Sequence, residues 1–245
     1  MIVKYLLAAL VAGLLAGALQ TVVQQAKVVP LILEAEKYEG GKMPEMHDHT
    51  TGLNLSIVTT ASAHTADATI AAADEEEGGM LFGVGRTTGT LMADLVTGAG
   101  FALVMMAVSL LLGQPVTLAT GALWGAAAWL AFQLMPAMGL PPELPGFPAA
   151  DLFQRQMWWV GTVVASVVAL YLMILRKEPW AKAVGVVLLV VPHFIGAPQA
   201  ADETTNVPAI LAAEFAVATL SAGLFFWLMI GLIMGAINDR WLKTA

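Results

Sequence analysis

GTLMADLVTGAGFALVMMAVSLLL, residues 89–112, decides the fold. These twenty-four consecutive positions hold one ionisable side chain, Asp94, in a run that is otherwise aliphatic, aromatic, small or hydroxyl-bearing. A helix of that length rises about 36 Å, enough to cross the roughly 30 Å hydrocarbon core of a bilayer. Working outward, apolar stretches at 116–136, 157–175, 182–197 and 208–236 follow in close order. Tyr5–Leu19 precedes them and continues to Val23, interrupted by Gln20 and Thr21. The expected fold is all-α, a polytopic transmembrane helix bundle of about six spans. The fifth stretch is the weakest, because its apolar part, Ala183–Ile195, is short and contains Pro192 and His193. Five spans with a re-entrant segment is the other reading.

Composition agrees. The 245 residues are 58% hydrophobic and 12% charged, too few polar side chains to cover a soluble domain of this size. Cysteine is absent, which removes disulfides, thiolate metal sites, iron–sulfur clusters and cysteine nucleophiles together. A formal charge of −7 argues against a nucleic-acid partner and suits attraction of cations.

The chain divides into three parts. Residues 1–39 form the first transmembrane helix and an amphipathic extension, with Glu34, Glu36, Lys37 and Glu39 closing it. Residues 40–79 are a polar loop rich in Thr, Ala, Ser, His and acid, ending near Asp74-Glu-Glu-Glu77. Loops of this length are normally functional or disordered. Residues 80–245 hold the five remaining spans. Ala16-Gly17-Ala18 has the small-x-small look of a signal cleavage site, but the apolar run continues past it, which favours a retained helix. Lys4, Arg176, Lys177, Lys182, Arg240 and Lys243 fall on one side of a six-span arrangement, so both termini are expected in the cytoplasm and the long loop outside. Trp158, Trp159, Trp180 and Trp241 sit at span ends, as interfacial anchors do. GxxxG spacings at Gly13/Gly17, Gly85/Gly89, Gly121/Gly125 and Gly231/Gly235 favour close helix packing without arguing for a dimer.

Three of the four histidines, His47, His49 and His64, lie in the long loop. The string MPEMHDH, residues 43–49, gathers imidazole, thioether and carboxylate, including Asp48. Co²⁺, Ni²⁺ and Zn²⁺ favour neutral imidazole with oxygen donors, so the loop reads either as a capture site or as a solvated polar segment. His193 follows Pro192 inside an apolar run, where an ionisable group faces a cavity or the bundle interior, or bonds a nearby carbonyl at the interface. Asp94 must face another helix, a cation or water. Arg86, eight residues earlier, is too far along a helix to be its direct neighbour. Glu34 and Glu36 either line the outer mouth or form a solvated patch, and Glu214 has the same ambiguity. No GxxxxGK[ST], HExxH or GxSxG motif occurs. With one histidine in a span, bis-histidine haem ligation within one chain is unsupported.

The order of strings resembles one family. LLAALVAGLLAGALQTVVQQ (6–25), VPLILEAEKYE (29–39), a His-containing loop and GRTTGTLMADLVTGAGFAL (85–103) are similar to CbtA-type cobalt transporter subunits. MGLPPELPG (138–146), PAADLFQRQMWW (148–159), VPHFIGAPQ (191–199), VPAILAAEFAVATL (207–220) and FWLMIGLIMG (226–235) continue in the family's order. Gly139–Gly146 and Val191–Gln199 are the most specific, since generic hydrophobicity does not produce them. The resemblance implies cobalt uptake for corrinoid synthesis beside a small single-span CbtB-like partner with a histidine-rich terminus. Glu34, Pro192, His193, Gly196 and Pro198 match the family's motifs, whereas Asp94 stands where an amide is expected.

The leading expectation is a permease subunit in the bacterial inner membrane, surrounded by lipid. The transported ion is Co²⁺ with Ni²⁺ as the alternative, and no tightly bound cofactor is expected. Its candidate metal contacts are His47, Asp48, His49, His64, His193, Asp94, Glu34 and Glu36. The runner-up is a non-transporting metal sensor or scaffold; an enzyme has little support, and self-association is left open.

Overall fold

A computed structural model describes residues 2–39, 85–202 and 204–241, and the loop carrying His47, Asp48, His49 and His64 lies outside them. The described residues are helical, with no strand among them. Helix α1 runs Ile2–Lys27 and α2 Val29–Glu39; α3 spans Arg86–Leu112, α4 Leu118–Ala137, α5 Leu152–Leu175, α6 Pro179–Ile195 and α7 Ala209–Trp241. Five of them, α1, α3, α4, α5 and α7, are long and apolar enough to cross a membrane. The sixth apolar helix, α6, has 17 residues and rises about 25 Å. It packs along α5 from the short 176–178 turn up to the contact of His193 with Trp158. Of the roughly six spans expected, five are long enough to cross and the sixth is this shorter apolar helix, which packs along part of its neighbour.

Small residues set the packing. Gly13 and Gly17 of α1 lie against the backbone of Gly98 and Asp94 of α3, and Gly121 and Gly125 of α4 against Gly231 and Trp227 of α7. At each of these positions a Cβ would overlap a carbonyl oxygen of the facing helix. Three of the four GxxxG spacings therefore sit in helix contacts, where backbones approach without side chains between them. In the fourth, Gly89 has open space around it. α1 also packs along α7, so α3, α1, α7 and α4 form a row with α5 and α6 attached as a hairpin beside α4.

Two apolar clusters mark the two ends. Ala8, Ala9, Met105, Met106, Val116, Ile230 and Met234 pack together towards the end where both termini emerge. Val28, Ala35, Leu144, Val207, Leu211 and Phe215 pack at the opposite end, called here the loop end. There α2 folds back so that Ala35 is fully buried. Within the first cluster Trp227 stacks with Phe132, ring centroids 5.6 Å apart, and meets Phe101 at a tilt with centroids 4.7 Å apart. The outward faces are bare aliphatic and aromatic surface: Leu111 is 85% and Phe194 87% exposed. Lipid tails solvate such a surface; water does not.

Inside α4, Leu130–Leu134 forms one π-helical turn. The turn is closed by Pro136, which offers no backbone donor, and it sets Gln133 against α7. The Gln133 amide fills the notch left by Gly223 and donates to the Thr219 carbonyl at 3.4 Å, while the Trp129 indole N–H donates to the Leu220 carbonyl at 3.1 Å.

Candidate functional site

The predicted contacts within the spans belong to two polar groupings, both towards the loop end. The first lies within the α1–α3 contact. Asp94 is 9% and Thr21 7% exposed. The Thr21 hydroxyl donates to Asp94 Oδ2 at 2.8 Å and the Gln24 amide to Oδ1 at 3.1 Å. Gly17 and Gly98 bring the two backbones together, and that closeness lets the short threonine reach the carboxylate. Asp94 is thus answered by two neutral donors on the facing helix. Gln20 is buried on the same helix, with its Oε1 unpartnered among the described residues. Thr21 and Gln24 are the functional candidates that the sequence reading passed over. Their signal was present: positions 20, 21 and 24 bring polar groups together near one face of a helix that is otherwise apolar.

The second place is where the strings 138–146 and 191–199 meet. Gly139 lies against the Trp158 ring and 3.1 Å from Ala197, measured from the position a Cβ would take. Trp158 and His193 touch edge to face, with ring centroids 5.9 Å apart and planes at 67°. The Gly196 N–H returns to the Pro192 carbonyl at 3.1 Å, and Gly196 itself has φ 87°, which ends α6 at Ile195, two residues after the histidine. His193 Nε2 and Trp158 Nε1 are both buried without a partner among the described residues. Trp158 therefore faces the interior, unlike Trp180 and Trp241, which are 59% and 41% exposed as anchors are. Around it, Arg155 pairs with Glu143 at 3.1 Å, and the Thr205 hydroxyl donates to the Gly146 carbonyl at 3.0 Å.

Charges ring the loop end. Glu36 of α2 pairs with Arg86 at the start of α3 at 3.1 Å, which fixes the extension over the bundle. Glu34 pairs with Lys37 at 2.6 Å, and that hydrogen-bonded carboxylate holds the lysine ammonium above its ordinary value. Glu214 is exposed. A cavity of about 340 Å³ opens between α1 and α7, lined by Val23, Lys27, Ala218, Ser221, Ala222 and Phe225.

The four predicted contacts that lie within the described residues do not form one cluster. Asp94 belongs to the α1–α3 pair, His193 to the α5–α6 hairpin, and Glu34 and Glu36 to α2. No group of three His, Cys, Asp or Glu side chains converges among the described residues. No curated protein and no solved structure matches the chain. The family model that does match, over residues 2–239, is described as a probable cobalt transporter subunit, and the chain belongs to this CbtA family.

Proposed function

We propose that this chain is the subunit through which cobalt crosses the membrane, captured at the loop end and carried through the helix bundle. The observation that carries the reading is the family match over all six apolar helices, in a bundle whose unpartnered imidazole stands at one end. The loop end faces outward in this reading, with both termini in the cytoplasm of a bacterial inner membrane. The loop groups His47, Asp48, His49 and His64 collect the ion, and Glu34 and Glu36 attract it to the mouth. His193 then offers Nε2, which has no hydrogen-bond partner among the described residues, as a coordinating atom. Asp94 is not among the ion's ligands here, since hydrogens from Thr21 and Gln24 already point at its oxygens.

The transported ion is Co²⁺, destined for corrinoid synthesis, with Ni²⁺ as competitor. A small single-span CbtB-like subunit with a histidine-rich terminus completes the transporter. The test is radiolabelled cobalt uptake in cells expressing the chain with and without that partner. The reading expects saturable uptake and a lower maximal rate at every cobalt concentration for His193→Ala, with normal insertion. Metal binding without uptake would favour a sensor or scaffold.

A further inference from the structure

We propose that Asp94, Thr21 and Gly17 form a proton-exchange site, in which the Asp94 carboxyl group alternates between ionised and protonated forms as the Thr21 hydroxyl turns between two acceptors. Its role in coupling proton movement to transport rests on the reading above. The geometry that carries it is a single hydroxyl placed between two oxygens: Thr21 Oγ1 lies 2.8 Å from Asp94 Oδ2 and 3.2 Å from the Gly17 carbonyl oxygen. A hydroxyl has one hydrogen to give and lone pairs to receive with.

With Asp94 ionised, Thr21 donates to Oδ2 and Gln24 to Oδ1, so both carboxylate oxygens are satisfied. A hydronium ion arriving from the loop end gives its proton to Oδ2, an O–H bond forms there, and water is left. Thr21 then turns its own hydrogen to the Gly17 carbonyl and accepts the new hydrogen bond through its oxygen. Gln24 keeps its bond to Oδ1 throughout. Release reverses each movement. Neither state leaves an oxygen of Asp94 or Thr21 without a partner, which is a condition for a carboxyl group to exist in both forms inside a membrane.

The surroundings fit a proton better than a metal. Two neutral donors aim hydrogens at the oxygens that a metal would have to approach. On α1, Lys27 lies six residues beyond Thr21 with its side chain exposed, and Lys4 and Tyr5 stand near the far end. On α3, Arg86 sits two turns nearer the loop end, with Glu36 of α2 as an ion-pair partner. On α7, which touches α3 lightly, Glu214 is exposed near the loop end and Asp239 and Arg240 lie at the other end. Among the described residues the hydrogen-bond partners of the Asp94 carboxylate are Thr21 and Gln24, both neutral. Lys27, the exposed last residue of α1, lies six residues, about 9 Å, beyond Thr21.

Infrared spectroscopy of the purified full chain in lipid vesicles reads this directly, without cobalt or a partner. Across a pH titration the wild type minus Asp94→Asn difference spectrum should show one carboxylic C=O component that grows on acidification, the other carboxyl groups among the 18 Asp and Glu side chains cancelling. Thr21→Val keeps the side-chain shape and removes the rotor; it should move the midpoint by about one pH unit, a roughly tenfold change in proton affinity. Thr21→Ser should restore it. In cells, Asp94→Asn should lose the response of the cobalt uptake rate to an imposed pH step. An infrared titration identical in wild type and Asp94→Asn, or unmoved by Thr21→Val, would overturn the site. A pH-step response that survives Asp94→Asn would overturn the coupling. Failure of the transport reading looks different, because the wild type would then take up no cobalt while the infrared change persists.

Discussion

Gly231→Ala is the sharpest test of how this bundle is held together. A Cβ at Gly231 would overlap the Gly121 carbonyl oxygen and come within 3.1 Å of the Gly125 nitrogen. Both groups are helix backbone, so no flexible side chain can swing aside. The two helices must instead separate by about 1 Å along this contact, and a gap of that size forfeits a quarter to a half of each dispersion contact it opens. Overpacking of this kind costs about 1–3 kcal/mol, and the α4–α7 seam extends through Thr117, Gly121 and Gly125, so the upper half of that range is expected. Gly100→Ala makes the same chemical change on α3 where nothing lies within 4 Å. It should be neutral, or stabilising by up to about 1 kcal/mol through helix propensity. Reversible unfolding in mixed micelles, titrated with a denaturing detergent and followed by tryptophan fluorescence, compares the two variants. Equal midpoints for Gly231→Ala and Gly100→Ala would refute backbone contact as the basis of packing.

Other changes should separate the remaining roles. Replacing His47 and His49 together with Ala should weaken cobalt uptake at low concentration and leave the saturated rate near wild type; loss at saturating cobalt would make the loop part of the passage. A double-mutant cycle of Glu36→Gln with Arg86→Gln should give a coupling below about 1 kcal/mol that shrinks with added salt, because both side chains are partly exposed. Gly223→Ala should evict the Gln133 amide from its notch and lower stability by about 1–3 kcal/mol, an effect that Gln133→Ala in the same chain should largely relieve. Reporter fusions after Lys243 and within residues 40–79 should report opposite sides of the membrane; a shared side would break the six-helix topology.

Much of the fold was legible in the sequence, because a bilayer imposes a length and an apolarity that a linear chain cannot hide. Residues 89–112 show it in one run, and three of the GxxxG spacings marked where helices touch, since close approach needs small residues at helical intervals. The likeness of 138–146 and 191–199 to one family was also readable along the chain. Which helices pair was not readable, because every apolar face can meet either lipid or another helix at similar cost. Only the tertiary structure set Asp94 against Thr21 and Gln24, and gave Arg86 a partner in Glu36 on a different helix. It likewise turned Trp158 from an expected interfacial anchor into the wall beside His193. The physical reason is common to all three: a polar side chain in an apolar helix announces that it needs a partner, but the partner stands on another segment, and distance along the chain carries no record of it.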